Sequence, residues 1–306
     1  MKYLIFLIIC GLSSIETFNP FSNIRNIVHN KVSEIKKKNF ISVYDQNILE
    51  KLRTFSDQKY TIIDKKNNYI YDNFTNLVKY NPKLKSKETI SISPGGIQGF
   101  YLMGVIDFIK HNYNMYNYIY TGASAGAWSC LFMSFKGDSK QLIYEILFEL
   151  ESQNIKSVFE MQLYLKQLLL RKYDKYDFNL SKIFIGVTVL RKLDISTNIF
   201  FNFDSLEDAI DCCIASSHIP FLTGGFVNKY NNAISFDGGF SNAPYLDLNN
   251  TILHINPNIW SKCSHTLINF EDLIADINDI NFYNLYVKGF TDTKYNRNKL
   301  DKILYV

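Results

Sequence analysis

The sequence is poor in residues that bind metals and in the charge that binds nucleic acids. Five cysteines and five histidines are spread over 306 residues, with no C-x-x-C motif and no histidine-rich spacing typical of zinc sites. The formal net charge is only +4, and no dense basic stripe accompanies it. We therefore expect no metal, no cofactor and no nucleic-acid partner, and we interpret the cysteines as buried free thiols.

The N-terminal apolar run is too short to span a bilayer by itself. It covers Tyr3–Leu12 and is followed by the small residues Ser13 and Ser14. We interpret residues 1–14 as a secretory signal or a hydrophobic anchor, although a buried strand fits the same pattern. The expected location is the secretory pathway or a membrane, and otherwise the cytoplasm at membrane surfaces.

The rest of the sequence is rich in apolar segments, some with the spacing of a strand and others with the spacing of a helix. Hydrophobic residues make up 47% of the chain, which permits a sizeable core and argues against disorder. Strand-like runs alternate with helical patterns, and no internal repeat is evident. This alternation predicts an α/β fold of three layers, α/β/α, in which helices cover both faces of a mostly parallel sheet.

One serine lies between two glycines in the stretch Gly122-Ala123-Ser124-Ala125-Gly126. A short apolar run precedes it and a helix-like run follows it. A G-x-S-x-G at a strand-to-helix turn lifts the serine out of the backbone, and the glycines let neighbouring chain pass close by. The first amides of the helix favour negative charge near the serine. The stretch therefore fits a nucleophile, although a small-residue turn that only packs helix on strand fits as well.

Two other predicted strand ends carry the groups that such a serine needs. The strand Ile90–Ser93 runs into Pro94–Gly99, where a glycine pair would expose N–H groups as an oxyanion hole requires. The strand Ala233–Phe236 ends in Asp237–Gly239, which brings a carboxylate. In an open α/β sheet, ligands sit at the carboxyl ends of the strands. Three strand ends thus offer a donor loop, a serine and an acid.

These motifs, in this order, resemble those of the patatin-like phospholipase family. The resemblance rests on Gly95–Gly99, on Gly122–Gly126 and on Asp237–Gly239 followed by Asn242-Ala243-Pro244. It extends from about residue 88 to about residue 257. It implies a patatin-like fold and a lipid acyl hydrolase of the phospholipase A or acylglycerol lipase type, with a lipid or membrane surface as its substrate.

The resemblance also implies a role for each motif residue. Ser124 would be the nucleophile and Asp237 its base, in a dyad without histidine. The amides of Gly95, Gly96 and Ala125 would form the oxyanion hole. Five further glycines would support the motifs: Gly99, Gly122, Gly126, Gly238 and Gly239. The family usually has Lys or Arg where this chain has Gln98, which brings no positive charge to the site.

We divide the chain around this segment. The parts are the signal or anchor 1–14, an N-terminal extension 19–86, a patatin-like catalytic core 87–257 and a C-terminal helical region 258–306 packed on the core. The extension is expected to contain helices over Ile24–Lys36 and Gln46–Thr54, and a hairpin formed by Tyr60–Ile63 and Tyr69–Tyr71.

Within the core, apolar patterns predict three long elements. We expect one helix over Gln141–Arg171, and strands over Phe178–Leu190 and Ile195–Phe203. Ser205 is expected to begin another helix, and Thr251–Ile255 to form a last strand.

Three alternatives to the dyad hydrolase remain at this stage. A Ser-His-Asp esterase would need a histidine late in the chain, for which His254 and His265 are the candidates. A lipid-binding relative without catalysis is the second, because Gln98 replaces the usual basic residue. The third interprets Gly95–Gly99 as a phosphate-binding nucleotide loop, although this loop lacks both the G-x-G-x-x-G order and a following Gly-Lys-Ser/Thr. His218 is interpreted as structural.

Overall fold

A computed structural model describes most of the chain that follows residue 59. The described ranges are 60–153, 155–191, 194–220, 222–241, 245–246, 250–260 and 280–304. The predicted signal, the two predicted helices before residue 55 and the motif at residues 242–244 lie outside them. No helix in the described ranges has both the length and the apolar character that a membrane crossing requires.

The protein has the three-layer α/β/α fold that the sequence predicts, with a mostly parallel central sheet. The strands of the described ranges are β1 (Tyr60–Asp64), β2 (Tyr69–Tyr71), β3 (Glu88–Ile92), β4 (Tyr118–Gly122), β5 (Ile183–Arg191), β6 (Asp194–Phe201), β7 (Asn228–Tyr230), β8 (Ala233–Phe236) and β9 (Thr251–Ile255). They lie in the order β2-β1-β6-β5-β4-β3-β9, and β8 pairs with both β5 and β7.

Strand direction decides which strand ends can meet. β9, β3, β4 and β5 run parallel to one another, as does β1 with β6. Antiparallel pairing occurs in the β1–β2 hairpin, between β5 and β6, and where β8 meets β5 and β7. The carboxyl ends of β3 and β4 therefore lie at one edge of the sheet, next to each other.

The helices of the described ranges cover both faces of this sheet. They are α1 (Phe74–Tyr80), α2 (Gly99–Asn112), α3 (Ala125–Ser134), α4 (Ser139–Ser152), α5 (Val158–Lys172), α6 (Leu206–Ser216), α7 (Phe282–Tyr295) and α8 (Arg297–Leu300). Side chains alternate along β4, so that Tyr118 and Tyr120 join the core beneath α2 to α7 while Ile119 faces a second core. Leu77 of α1 closes that second core.

The predicted hairpin is present but belongs to the central sheet. β1 pairs antiparallel with β2, and it also pairs in parallel with β6 from Tyr60 opposite Thr197 to Asp64 opposite Phe201. Ile62 and Ile63 are buried as a result. The hairpin, which belongs to the predicted extension 19–86, thus continues the central sheet.

The single helix predicted over residues 141–171 is wrong, because α4 and α5 are separate helices. Ser157 caps the start of α5: its hydroxyl accepts the Glu160 N–H at 3.2 Å, and the Glu160 carboxylate accepts the Lys156 N–H at 2.8 Å. These two hydrogen bonds satisfy backbone donors at the start of a new helix, which a continuous helix would pair internally. The Ser-x-x-Glu signal was in the sequence, within a continuous apolar pattern.

The strand predicted from Phe178 begins only at Ile183. A short 3₁₀ turn, Leu180–Lys182, precedes it, and Phe178 makes only an isolated bridge to Phe135. The Phe178 ring packs on the Phe135 ring with centroids 5.1 Å apart. Its burial therefore comes from aromatic packing, and an apolar run alone does not distinguish that from a strand.

Helix α7 packs closely on α2 through two glycines. A Cβ added to Gly104 would overlap the carbonyl of Tyr286, and one added to Gly289 would overlap the carbonyl of Tyr101. The two backbones thus approach more closely than side chains would allow. The Tyr286 hydroxyl also donates to the buried Asp107 carboxylate at 2.8 Å. This crossing fixes α2, which forms one wall of the cavity described below.

Candidate active site

Ser124 occupies a strained turn between β4 and α3. Its φ is 55° and its ψ is −125°, a conformation that side-chain-bearing residues seldom adopt outside constrained sites. The turn requires close backbone approach, because a Cβ on Gly122 would lie 2.6 Å from the carbonyl oxygen of Gly126. A Cβ on Gly126 would overlap the carbonyl oxygen of Ile92. Both flanking glycines of the motif are thus needed for the backbone to turn here.

Asp237 reaches Ser124 because β8 runs against the direction of β4. Both strands pair with β5: β4 ends at Gly122 opposite Ile185, and β8 ends at Phe236 opposite Thr188. Their carboxyl ends therefore meet tip to tip along β5. Gly238 permits the meeting, since a Cβ there would lie 2.7 Å from the Cβ of Ala123.

The hydroxyl of Ser124 donates to Oδ2 of Asp237 at 2.7 Å. The other carboxylate oxygen, Oδ1, accepts the Gly239 N–H at 2.7 Å. Ser124 and Asp237 expose only 7% and 6% of their surface, so the pair is shielded from water. Burial raises the pKa of Asp237 from 3.8 to about 6, against the opposing effect of the Ser124 and Gly239 hydrogen bonds. A carboxylate of that pKa is a better proton acceptor than an exposed aspartate.

The end of α6 holds both residues in place. The hydroxyl oxygen of Ser216 accepts the Ser124 N–H at 2.9 Å, and the same hydroxyl donates to the carbonyl of Gly186 at 2.6 Å. Two residues later, the carbonyl of His218 accepts the Asp237 N–H at 2.7 Å. Sequence reasoning missed the role of Ser216, and no spacing in the sequence connects it with Ser124.

The glycine loop lies over the start of α3. Gly96–Gln98 forms a 3₁₀ turn, and Gly96 has a φ of 53°. A Cβ on Gly99 would lie 3.1 Å from the Cβ of Ala125. Among the described residues, the N–H groups of Gly95, Gly96 and Ala125 donate to no protein acceptor. Such unpaired amides at a loop and a helix N-terminus suit an anion.

A cavity of about 110 Å³ opens beside this pair, and we call it the serine cavity. Its walls include Phe100 and Met103 of α2, Trp128 and Phe132 of α3, and Met161 and Leu165 of α5. Gly96, Ser124, Ala125 and Asp237 line it as well. Among the described residues that line it, Asp237 is the only ionisable one. The cavity therefore suits a hydrocarbon chain attached to a group that lies at Ser124.

The described histidines make other contacts. The His254 ring, on β9, is hydrogen-bonded to the Tyr245 hydroxyl at 3.0 Å. Nε2 of His218 lies 3.4 Å from the carbonyl of Phe226, and burial lowers the pKa of that ring. His111 contacts Asp107 and Asp138. His265 lies outside the described residues. Ser124 meets the carboxylate directly, with no imidazole between them.

The remaining cysteine prediction can also be checked on three residues. Cys130, Cys212 and Cys213 are buried free thiols, as the sequence predicts. Burial raises the pKa of each thiol, so none is a reactive thiolate. Cys10 and Cys263 lie outside the described ranges.

A family comparison covers the segment that contains these motifs. The model of the patatin-like phospholipase family matches residues 90–248, more than half of the 306-residue chain. The chain belongs to this family. Membership supports lipid acyl hydrolysis at the level of the family, with a lipid as the substrate that the family implies. Neither the curated proteins nor the solved structures include a match to this chain.

Within this member of the family, the matched segment spans all three motifs. It begins inside β3, ahead of the glycine loop, and ends after the Asp237 turn. It also contains α5 and α6, which supply the cavity wall and Ser216. The hairpin β1–β2 and helix α7 lie outside it, although both pack on the matched part.

Proposed function

We propose that the protein is a serine-dependent carboxylic ester hydrolase that cleaves membrane lipids, either phospholipids or acylglycerols. The proposal depends on one observation, the 2.7 Å hydrogen bond between the Ser124 hydroxyl and the Asp237 carboxylate beside an apolar cavity. A serine hydroxyl is a poor nucleophile until a base accepts its proton. Asp237, with its raised pKa, supplies that base without a histidine.

In the first half of the reaction, the Ser124 oxygen bonds to the ester carbonyl carbon and its proton passes to Asp237. The carbonyl oxygen becomes an oxyanion, which the N–H groups of Gly95, Gly96 and Ala125 stabilise. One such donor is typically worth about 3 kcal/mol of barrier. The bond between the carbonyl carbon and the leaving oxygen then breaks, and Asp237 gives its proton to the leaving alcohol. The acyl group stays on Ser124.

In the second half, water replaces the alcohol. Asp237 accepts a proton from the water, whose oxygen bonds to the acyl carbon, and the bond to Ser124 breaks as the proton returns to the serine oxygen. The products are a fatty acid and the free enzyme. In both halves the acyl chain occupies the serine cavity, and the attacking water enters at the position that the alcohol has left.

Gln98 takes no charged part in this scheme. It lies at the end of the 3₁₀ turn Gly96–Gln98, at the start of α2. Three backbone amides supply the anion site, so a basic side chain at position 98 is not required for the chemistry proposed. The proposal therefore favours a hydrolase over a lipid-binding relative without catalysis.

The test is fatty-acid release from mixed lipids, with products profiled by mass spectrometry. We expect Ser124→Ala and Asp237→Asn each to lower the rate about a thousandfold or more, with circular dichroism unchanged. Ser134→Ala is the control, because Ser134 is equally buried but donates only to the carbonyl of Leu131, within its own helix. Fluorophosphonate labelling should modify Ser124. Full activity in Asp237→Asn would reject the dyad.

A loss of activity on replacing His265 or His254 would instead support a triad, because the dyad uses no histidine. Absence of both hydrolysis and fluorophosphonate labelling in the wild type would support the lipid-binding relative. The histidine variants thus separate the dyad from a triad, and the wild type separates both hydrolases from the lipid-binding relative.

A further inference from the structure

Of the polar side chains that line the serine cavity and take no part in the proposed mechanism, two carry a buried atom without a hydrogen-bond partner. Gln162 of α5 and Ser217, just after α6, both line it, and they expose only 3% and 6% of their surface. Oε1 of Gln162 and Oγ of Ser217 have no hydrogen-bond partner. Buried polar atoms are seldom left unpaired in folded proteins, and each unpaired one lowers stability. We interpret an unpaired amide oxygen and an unpaired hydroxyl on residues that line one cavity as a sign of a ligand group.

The packing of α5 on α6 places Gln162 near the dyad. Nζ of Lys166 lies 2.6 Å from the Asp211 carboxylate and 3.0 Å from that of Glu207. At the other end of α5, a Cβ on Gly224 would lie 3.5 Å from the Phe159 ring and 3.4 Å from the His218 ring. The start of α5 therefore lies near the end of α6, and later residues of α5 lie near earlier residues of α6. The two helices are antiparallel.

Gln162 lies one helical turn before Lys166 on α5. Because Lys166 faces Asp211 and the helices are antiparallel, Gln162 faces the part of α6 one turn after Asp211, which is the C-terminal end of α6. That end carries Ser216, which holds the Ser124 N–H, and Ser217 follows directly. Both unpaired groups are therefore near the end of α6 that contacts Ser124.

The charge of the cavity restricts what these groups can bind. Asp237 is the only ionisable side chain among the described lining residues, and no lysine or arginine is among them. A phosphate or another anion placed there would have no opposite charge to pair with. The Gln162 oxygen accepts a hydrogen bond, and the Ser217 hydroxyl both donates and accepts one, which together suit a neutral hydroxyl group.

We propose that Gln162 and Ser217 bind a second, neutral oxygen of the substrate, a few bonds from the ester carbonyl that Ser124 attacks. This oxygen belongs to a hydroxyl on the adjacent glycerol carbon, or to a hydroxyl on the acyl chain near its carbonyl. Both sources present the same chemistry to the site. The inference rests on the proposed function, since it names the substrate feature that the same site selects.

The first test compares kcat/KM for three esters of one fatty acid. These are the methyl ester, the 1-monoacylglycerol, and the methyl ester of the 3-hydroxy acid. We expect the wild type to prefer at least one oxygen-bearing ester over the plain methyl ester, by about tenfold. We expect Gln162→Leu and Ser217→Ala each to lower that preference several-fold. The ester whose advantage is lost identifies the source of the oxygen.

The matched control is Gln167→Leu, because Gln167 lies on the same helix and faces solvent. It should leave the preference at the wild-type value. The same preference in the wild type, in Gln162→Leu and in Ser217→Ala would overturn the proposal. An equal fall in rate on all three esters would also overturn it, since that result indicates damage to the dyad rather than loss of a substrate contact.

Thermal unfolding provides a readout that does not need activity. Because the Gln162 oxygen has no partner, Gln162→Leu or the isosteric Gln162→Met should raise the melting temperature relative to Gln167→Leu. A fall in melting temperature for both variants would contradict the proposal, because it would show that the amide has a structural role.

A binding measurement separates failure of this inference from failure of the proposed function. Ser124→Ala protein is titrated with a monoalkylglycerol ether and with the methyl ether of the same alkyl chain. The polar contact is supported if Ser124→Ala binds the glycerol ether more tightly than the methyl ether and if Ser124→Ala/Gln162→Leu does not. This result would support the contact even if no ester is hydrolysed. Equal binding of the two ethers, with the 3-hydroxy ester also not preferred, overturns the contact even if hydrolysis is shown.

Discussion

The N–H of Ser124 donates to the hydroxyl oxygen of Ser216, which in turn donates to the carbonyl of Gly186. One buried hydroxyl therefore connects the turn that carries the serine with strand β5, against which β8 places Asp237. The strained φ of Ser124 persists only while such contacts hold the turn. Ser216 is thus a positioning residue for the proposed dyad.

We expect Ser216→Ala to lower kcat about tenfold to a hundredfold and to leave KM close to the wild-type value. The substitution leaves the Ser124 N–H and the Gly186 carbonyl without their buried hydrogen-bond partner, which lowers stability by about 1–3 kcal/mol for each group. It removes no contact with the substrate. Steady-state kinetics checks this split, and chemical unfolding should show a matching loss of stability. The control is again Ser134→Ala, whose hydroxyl bonds within its own helix. A rise in KM with kcat unchanged would show that Ser216 contacts substrate instead.

The pH dependence of hydrolysis should follow the titration of Asp237. The base must be unprotonated, and its pKa is raised to about 6 by burial. We therefore expect kcat/KM to increase with pH below about 6 and to become constant above it. A pH–rate profile on a soluble ester measures the midpoint. A midpoint near 4 would mean that the carboxyl is not desolvated in the working enzyme.

Replacing Asp237 by Asn should stabilise the protein at neutral pH. The folded pKa lies above the unfolded value, so the stability associated with the carboxyl is present below pH 3.8 and is lost as the pH rises through about 6. The difference corresponds to roughly 3 kcal/mol at most. The Asn oxygen can accept the Gly239 N–H, and its NH2 group can donate to the Ser124 oxygen, which reverses the direction of that hydrogen bond.

The measurement is denaturant unfolding of the wild type and of Asp237→Asn at pH 4 and at pH 8. We expect Asp237→Asn to gain stability over the wild type at pH 8 and little or none at pH 4. A constant difference at both values would mean that burial of the charge is not its cause.

Gly126→Ala should destabilise the protein and remove activity together. The added methyl group would overlap the carbonyl oxygen of Ile92 at the end of β3, and that backbone has little freedom to move. We expect a loss of about 3 kcal/mol or more in the free energy of unfolding. Gly225→Ala is the comparison, because its Cβ would meet nothing nearer than the carbonyl of Val227, at 4.0 Å. Similar unfolding curves for the two variants would contradict the close approach.

Local sequence was sufficient for the parts of the site that lie at single strand ends. The G-x-S-x-G around Ser124 and the Asp-Gly-Gly at Asp237 each combine an apolar run with glycines, and that combination is a property of a few adjacent residues. The same holds for the β1–β2 hairpin, for α6 beginning after Ser205 and for β9. These elements are set by periodicity and by caps, which need no knowledge of distant contacts.

The sequence did not reveal how distant elements are arranged. Nothing near Phe236 indicates that β8 runs antiparallel to β5, yet only that direction brings its end to the tip of β4. Ser216 reads as one of two ordinary serines at a helix end until the fold places it under Ser124. The division between α4 and α5 depended on a local cap at Ser157 within an apolar pattern that continues across it.

The sequence by itself therefore determined which chemical groups the protein possesses: a serine in a tight turn, an acid at a strand end and a loop of glycine amides. The tertiary structure alone decided that they meet, that water is kept from Asp237, and that Gln162 lies in the same cavity without a partner. The physical reason is that burial and partnership depend on pairs of residues far apart in the chain. The hydrophobic pattern of a sequence shows that a polar residue lies among apolar ones, but it does not show which residues pack against it.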